Sequence, residues 1–136
     1  SGSNRVLKML NRGHTVEDVL NAVTIAIKYG FKVDVDFIFG LPYEEEEDLE
    51  LTLKAMDKLI EMGARIHAHT FLPLPGTPLA LAKPRRIPER VKKFLFKRLG
   101  KGKVYGEWIK QERLAEIIDE LRIKGIIKAS ITSSFL

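Results

Sequence analysis

The feature that most constrains the fold is a strand-like alternation, followed by one amphipathic helix and a second strand. From Phe31 to Gly40 apolar and polar side chains alternate, and the apolar positions hold β-branched and aromatic residues. Leu41-Pro42-Tyr43 then leads into an acidic helix start, Gly63 closes that helix, and a second strand is predicted at about Arg65–Leu72. This order predicts a βαβ unit with two parallel strands.

Another helix precedes this unit. Thr15 and Asp18 resemble a capping box, and apolar residues then recur at helical spacing until Gly30. Two strands alone make a poor domain, because both edges of the sheet stay exposed. We therefore expect an α/β fold that is one piece of a larger parallel sheet or barrel. Self-association of the chain is one way to cover the exposed edges.

The remainder of the chain is predicted to be helical. After Leu72 the segment PLPGTPLA is rigid, and proline-framed residues 87–89 begin a helix that ends at Gly100. A Lys/Gly connector leads to a last helix that runs through Trp108 to Leu121. Residues 125–136 are predicted to form either a final strand or a frayed tail.

Charge divides the chain into two predicted domains. Residues 1–82 carry 8 Lys/Arg against 12 Asp/Glu, whereas residues 83–136 carry 15 against 6. Ten of those fifteen cations lie from Lys83 to Lys103, opposed only by Glu89. The first range is the α/β part, and the second is a basic helical extension. The basic segment predicts either an acidic partner such as nucleic acid, or a helix that faces solvent or an acidic neighbouring domain.

Composition excludes several classes of site. The chain of 136 residues contains no cysteine, so it can form no disulfide and offers no thiolate as nucleophile or metal ligand. No apolar run approaches the roughly 20 residues of a membrane span, and no secretory signal pattern opens the sequence. We therefore expect a cytoplasmic protein without a membrane partner.

The histidines and the acidic run give weaker signals. His67 and His69 lie on one face of the predicted strand and can form part of a metal site, but no third ligand has suitable spacing, so no metal is predicted. A proton-carrying role for His69 is an alternative. Glu44 to Asp48 is interpreted as a solvated helix N-terminus.

Three blocks resemble the radical S-adenosylmethionine (SAM) enzymes in family order. SGSNRVLKMLNRGHTVEDV, at residues 1–19, resembles the segment after the fourth barrel strand. VDVDFIFGLPYEEEEDLELTL, at residues 33–53, is similar to the fifth strand and its helix. HAHTFLPLPGTPL, at residues 67–79, is similar to the sixth strand. The resemblance covers residues 1 to about 80.

This resemblance implies the C-terminal part of a partial (β/α)6 barrel that binds SAM and a 4Fe–4S cluster. The family cleaves SAM reductively to a 5′-deoxyadenosyl radical, and three cysteines of a CxxxCxxC loop hold the cluster. Cluster ligation requires such thiolates, and the chain has none. We therefore expect the first four strands, with the cysteines, to lie upstream in a larger protein. The upstream half of the barrel is then a partner, and the chain alone is expected to be inactive.

The resemblance also implies SAM-binding residues. Arg12 matches a position that contacts SAM, where a guanidinium suits a carboxylate; the alternative is a surface arginine at a helix end. Asp36 matches an acid that contacts the ribose; the alternative is a charge on a solvated face. Ser1, Gly2 and Ser3 match a loop near the ribose or amino group, although Ser-Gly-Ser is also a common cloning remnant.

Four further positions follow from the same resemblance. Ile38 shares a face with Asp36 and is expected to contact the adenine, with barrel core as the alternative. Gly40 is expected to let the backbone approach SAM closely. Phe71 and Leu72, at the end of the sixth strand, are expected to flank SAM or to pack in the core. No catalytic residue is assigned.

The predicted helical segment after residue 82 bears on which branch of the family the chain resembles. The sixth-strand block followed by a helical basic tail resembles proteins that carry a cobalamin-binding domain upstream, which implies cobalamin as a further cofactor. The methylthiotransferases, which act on tRNA or a ribosomal protein, share the SGS…NRG segment but usually end in a small β-rich RNA-binding domain. A non-catalytic module that binds a partner or nucleic acid is the third interpretation.

Overall fold

The computed structural model describes residues 1–128, which form five helices and a three-stranded sheet. The helices are α1 (Asn4–Met9), α2 (Val16–Lys28), α3 (Glu46–Glu61), α4 (Glu89–Leu99) and α5 (Trp108–Ile123). The strands are β1 (Asp34–Phe39), β2 (Arg65–Thr70) and β3 (Val104–Tyr105). The predicted capping box of α2 is confirmed, since the Thr15 amide donates to Asp18 (2.8 Å) and the Asp18 amide donates to Thr15 (3.2 Å).

The sheet is parallel, with the strand order β1-β2-β3. The predicted βαβ unit is therefore confirmed, with α3 as its crossover. The two-residue strand β3 was not predicted, because it lies in a Lys/Gly connector that is too short to show alternation. It pairs with Ile66 and His67 of β2, so the sheet has one strand more than the two that were predicted for residues 31–72.

One face of the sheet is covered by helices. Phe37 and Phe39 of β1 and Ile66 and Ala68 of β2 are buried on this face. The helices contribute further buried side chains to the same core: Val23, Met56, Leu59, Val91, Leu95 and Trp108. The opposite face of the strands has no helix packed on it among residues 1–128, and its side chains are exposed or half-buried.

The helical character of the second half is confirmed by α4 and α5. Their buried residues belong to the core that also contains β1 and β2, while the boundary between residues 82 and 83 stays a prediction. The prediction for residues 125–136 falls mostly on 129–136, which lie outside the described residues. Among the helices that are described, none is long and apolar enough to cross a membrane.

Candidate functional site

The candidate site lies on the uncovered face of the sheet, which we call the open face. Side chains alternate across a strand, so the polar positions of the sequence pattern all reach this one side. The side chain of Asp36 is 72% exposed, which is more than those of Asp34, Arg65, His67 and His69 on the same face. The open face consists of Asp34, Asp36, Ile38, Arg65, His67, His69 and Tyr105.

A groove beside β1 brings together several residues that the resemblance had implied. It runs along β1, between side chains from both faces of this strand and residues of α1, α2 and α3, and Leu7, Leu20 and Leu41 give it apolar walls. Four predicted SAM contacts line it: Ser1, Arg12, Asp36 and Ile38. The groove therefore offers a guanidinium, a carboxylate and an aliphatic side chain within one concave surface.

Arg12 reaches the groove because the chain turns sharply after α1. Asn11 adopts a left-handed conformation with φ 53°, and Gly13 follows with φ 71°. The Arg12 amide donates to the carbonyl of Leu7 (3.0 Å), which closes the helix end. The Arg12 side chain is exposed, so its five N–H donors are available to a ligand.

The Ser1–Ser3 segment packs against α3. The Gly2 amide donates to the Thr52 hydroxyl (2.9 Å), and a Cβ at Gly2 would lie 2.6 Å from the Thr52 Cα. Ser3 is buried, and its hydroxyl donates to Asp48 (2.6 Å) while it caps α1 by accepting from the Val6 amide. The structure therefore commits Ser3 to the packing of α1 and does not bring it into the groove.

Two acids at the start of α3 are buried, so the interpretation of a fully solvated helix N-terminus is wrong. Asp48 accepts hydrogen bonds from Arg5, Ser3 and the Glu45 amide. The Arg5 guanidinium is the main reason that the pKa of Asp48 falls to about 2. The intervening Glu45–Glu47 are exposed, as expected.

Glu44 is the less expected of the two buried acids. It is 4% exposed, and its Oε1 has no hydrogen-bond partner among the described residues. Burial raises the pKa of Glu44 to about 7, because the charged carboxylate is desolvated. Sequence alone gave no signal for this burial, since Glu44 belongs to a run of four glutamates.

Gly40, Phe71 and Leu72 lie outside the groove. Gly40 has φ 75°, and a Cβ there would lie 2.6 Å from the carbonyl oxygen of Arg85. Gly40 is therefore required by the close approach of the loop that contains Arg85, and not by an approach of SAM. Phe71 is buried against Val6 and Leu41, and Leu72 is half-buried.

Asp36 lies between the two histidines of β2. The Nδ1 of His67 is 3.0 Å from Asp36 Oδ1, and the Nε2 of His69 is 3.3 Å from the same oxygen. The expectation that these histidines have no third ligand partner is therefore wrong. Spacing along one strand could not reveal Asp36, because it comes from the neighbouring strand through the register Asp36↔His67.

Much of the basic segment 83–103 is neutralised within the molecule. Four of its ten cations pair with carboxylates of α3 and α5, as Arg86–Glu116, Arg90–Glu46/Glu50, Lys92–Glu112 and Arg98–Asp57. The Arg85 guanidinium donates to the carbonyl of Glu44. Within residues 1–128, Lys83, Lys93, Lys97, Lys101 and Lys103 have no carboxylate partner. The alternative of a basic helix facing acidic neighbours therefore explains part of the segment.

The residues fit SAM and an iron–sulfur cluster differently. The groove offers a cation for a carboxylate, an acceptor for hydroxyl groups and apolar walls for a ring, which together suit a nucleoside–amino acid conjugate. A 4Fe–4S cluster needs cysteine thiolates, and the sequence contains none. The chain therefore has no residues to hold such a cluster.

Comparisons with known proteins identify a family and several similar proteins. The profile of the Radical SAM superfamily matches residues 1–56. A tRNA-2-methylthio-N(6)-dimethylallyladenosine synthase of Ehrlichia canis is 37% identical over 103 residues, covering 74% of this chain and 23% of that protein. The synthase of the same name from Wolbachia pipientis wMel is 38% identical over 94 residues, 68% of this chain and 21% of the relative.

An uncharacterised protein of Methanocaldococcus jannaschii is 42% identical over 84 residues, covering 62% of this chain and 17% of that protein. The chain thus spans about a fifth of the length of the curated relatives it matches. The similarity to the Ehrlichia canis protein extends beyond residue 56, where the match to the family profile ends, because that alignment is 103 residues long.

Proposed function

We propose, on the premise that this chain belongs to the radical SAM superfamily through residues 1–56, that its open face and groove form part of a SAM-binding site. The observation that carries the proposal is the meeting of Arg12, Asp36 and Ile38 on one groove. They come from a turn and a strand 24 residues or more apart in sequence, and the fold alone brings them together.

Each groove residue has a distinct proposed task. Arg12 pairs with the carboxylate of the methionine moiety through two parallel N–H donors. Asp36 accepts from the ribose hydroxyls, and Ile38 contacts the adenine ring. Ser1 supplies a hydroxyl at the rim of the groove. We place Gly40, Phe71 and Leu72 behind these contacts, as residues that support the loop and the strand ends.

The cluster and the missing strands are proposed to come from the upstream half of the same barrel. The strand β1 pairs only with β2 among the described residues, so its other edge has free backbone groups. Such an edge is a template for another parallel strand. The chain alone is then expected not to cleave SAM, because the cluster thiolates lie outside it. Self-association through the same edge would compete with this pairing.

The reaction that we propose is methylthiolation of a tRNA adenosine. Two of the relatives described above carry the name tRNA-2-methylthio-N(6)-dimethylallyladenosine synthase. The five lysines of segment 83–103 without a carboxylate partner within residues 1–128 would offer phosphate contacts to such a substrate. We expect the protein to act in the cytoplasm, where tRNA is found.

A second candidate reaction is a cobalamin-linked radical SAM reaction on an unidentified substrate. The observation that favours it is the helical structure of α4 and α5, where a β-rich RNA-binding domain would be expected after the barrel of a methylthiotransferase. A non-catalytic role as a partner-binding module has only the charge of segment 83–103 in its support.

The experiment that separates these candidates uses the full-length protein proposed here. We would reconstitute it anaerobically with iron and sulfide, add SAM, dithionite and tRNA, and analyse the tRNA nucleosides by mass spectrometry. The expected result is a methylthiolated adenosine among the tRNA nucleosides, formed without added cobalamin. Consumption of SAM with no methylthiolated nucleoside, and with dependence on hydroxocobalamin, would contradict methylthiolation and favour the second candidate.

A further inference from the structure

We infer that Asp36, His67 and His69 form a binding site for a divalent transition-metal ion on the open face. One ligand atom from each residue lies within 4.8 Å of the other two. Two imidazoles and one carboxylate are a donor set that binds Zn²⁺, Co²⁺, Ni²⁺ and Fe²⁺. The site has no thiolate ligand and does not rest on the proposed function, although Asp36 is also the residue that we propose for the ribose hydroxyls.

The strand register creates the cluster. Asp36 of β1 lies directly opposite His67 of β2, and Ile38 lies opposite His69. Side chains at i and i+2 of a strand share a face, so both imidazoles stand on the same side as Asp36. The rigid part of the fold therefore positions all three groups, and no loop has to move to assemble them.

The distances suit a shared ion. Two ligands that bind one metal at about 2.1 Å, with angles between 90° and 110°, are about 3.0–3.4 Å apart. The observed separations from Asp36 Oδ1 are 3.0 Å to His67 Nδ1 and 3.3 Å to His69 Nε2. The imidazole rings are 4.0 Å apart and tilted by 56°, so their nitrogens converge on the carboxylate without stacking face to face.

The neighbouring residues hold His67 in place. The ring of Tyr105 stacks on His67 with the centroids 4.5 Å apart and an angle of 6°. Gly106 allows this approach, because it has φ 131° and a Cβ there would collide with the carbonyl of Ala68 and crowd the His67 ring. Supporting contacts of this kind fix the orientation of a histidine ligand.

The local charge also permits a cation. Arg65 is the nearest basic side chain on the open face, and it is engaged by both oxygens of Asp34 at 2.9 and 3.1 Å. Its charge is thereby balanced, and the carboxylate of Asp36 remains for the ion. The side chains of His67 and His69 are 33% and 29% exposed, so the remaining coordination positions are open to water or a small ligand.

The rival explanation is a polar cluster in which both imidazoles donate to Asp36 directly. Metal titration of the tag-free 136-residue chain separates the two explanations without SAM or an iron–sulfur cluster. We would titrate Co²⁺, follow its visible absorption, and then displace it with Zn²⁺ as a measure of relative affinity. The expected result is one saturable site per chain, with Co²⁺ absorption that Zn²⁺ abolishes.

The variants have matched controls in the same chain. His69→Ala and Asp36→Asn are expected to weaken Co²⁺ binding at least about tenfold, the lower end of the effects found for residues that merely support ligands. His14→Ala removes the third histidine, which is not one of the three proposed ligands, and Glu47→Gln removes an exposed carboxylate of α3. Both controls are expected to keep the affinity of the unaltered chain, and circular dichroism checks that each variant is folded.

The proposal is overturned if the folded chain shows no saturable Co²⁺ or Zn²⁺ site at millimolar metal. It is also overturned if His14→Ala weakens binding as much as His69→Ala, or if Asp36→Asn binds as tightly as the unaltered chain. Failure of the metal site is distinguishable from failure of the proposed function, because the metal titrations contain no SAM and the assays of the proposed function measure products from SAM and tRNA. His67 and His69 belong to the metal site alone, whereas Asp36 is shared with the proposed SAM site.

Discussion

The two faces of the sheet are built from alternate residues of the same strands, yet they serve different purposes. Phe37, Phe39 and Ile66 are at most 4% exposed and pack against the helices. Asp36 and His67, their direct neighbours in sequence, stand on the open face. Alternation along each strand thus places apolar side chains in the core on one face and polar side chains on the other face.

The difference teaches where function is encoded in this chain. The covered face needs only apolar side chains of the right size, and many sequences would satisfy it. The open face carries a carboxylate and two histidines within hydrogen-bonding distance of each other, which stability alone does not demand. Ionisable groups gathered on one exposed face of a sheet are available to accept or donate hydrogen bonds to a ligand.

The largest expected effect comes from breaking the covered face. Phe39→Ala removes a side chain that is 0% exposed, so we expect the free energy of unfolding to fall by about 3–5 kcal/mol. Ile38→Ala, one residue away on the open face, is the matched control. Its side chain is 37% exposed, and we expect a loss of about 1 kcal/mol or less.

Urea denaturation followed by circular dichroism measures both variants of the 136-residue chain. Equal losses at positions 38 and 39 would contradict the comparison, because they would mean that Ile38 is also buried. That result would point to a second copy of the chain on the open face, and sedimentation at several concentrations would detect it.

A smaller effect, which depends on pH, comes from Glu44, a buried acid whose Oε1 has no hydrogen-bond partner among the described residues. The pKa of Glu44 is about 7 in the folded chain, against an ordinary value of 4.5. Between these values the folded state binds more protons than the unfolded state. The stability that neutral Glu44 permits is therefore complete below pH 4.5 and is lost as the pH rises through 7. The total loss is about 3 kcal/mol.

Glu44→Gln keeps the shape of the neutral acid and removes the titration. We expect the variant to match the unaltered chain at pH 5 and to exceed its stability at pH 8, as measured by urea denaturation at both pH values. Glu47→Gln, in the exposed first turn of α3, is the control and should change stability by only a few tenths of a kcal/mol at either pH. If the free energy of unfolding changes between pH 5 and pH 8 by the same amount in Glu44→Gln as in the unaltered chain, the account is contradicted. Glu44 would then be solvated in the folded chain.

Most of the fold could be predicted from the sequence because its signals are local. The alternation from Phe31 to Gly40 marks β1, and the apolar stripe that ends near Gly63 marks α3. Two parallel strands joined by one helix then leave little freedom of topology. The strand β3 could not be predicted, because two residues show no periodicity. Val104 and Tyr105 form a strand only because they pair with the edge of β2.

The candidate site was predictable only in part. Arg12, Asp36 and Ile38 were named from a family resemblance, and the fold places them on one groove. The cluster of Asp36 with His67 and His69 depends on the register between two strands, which spacing along the chain does not contain. The burial of Glu44 depends on the segment around Arg85, 41 residues away, whose guanidinium binds the Glu44 carbonyl.

The most direct test of the SAM-binding account is the yield of 5′-deoxyadenosine from the full-length protein, reconstituted anaerobically and supplied with SAM and dithionite. Arg12→Ala is compared with Arg113→Ala, an exposed arginine of α5 outside the groove. Loss of a charged hydrogen bond worth about 1.5–3 kcal/mol should weaken SAM binding about tenfold or more. We therefore predict that at low SAM concentration Arg12→Ala loses most of the product, whereas Arg113→Ala keeps it. Equal yields from both variants would contradict the placement of SAM on this groove.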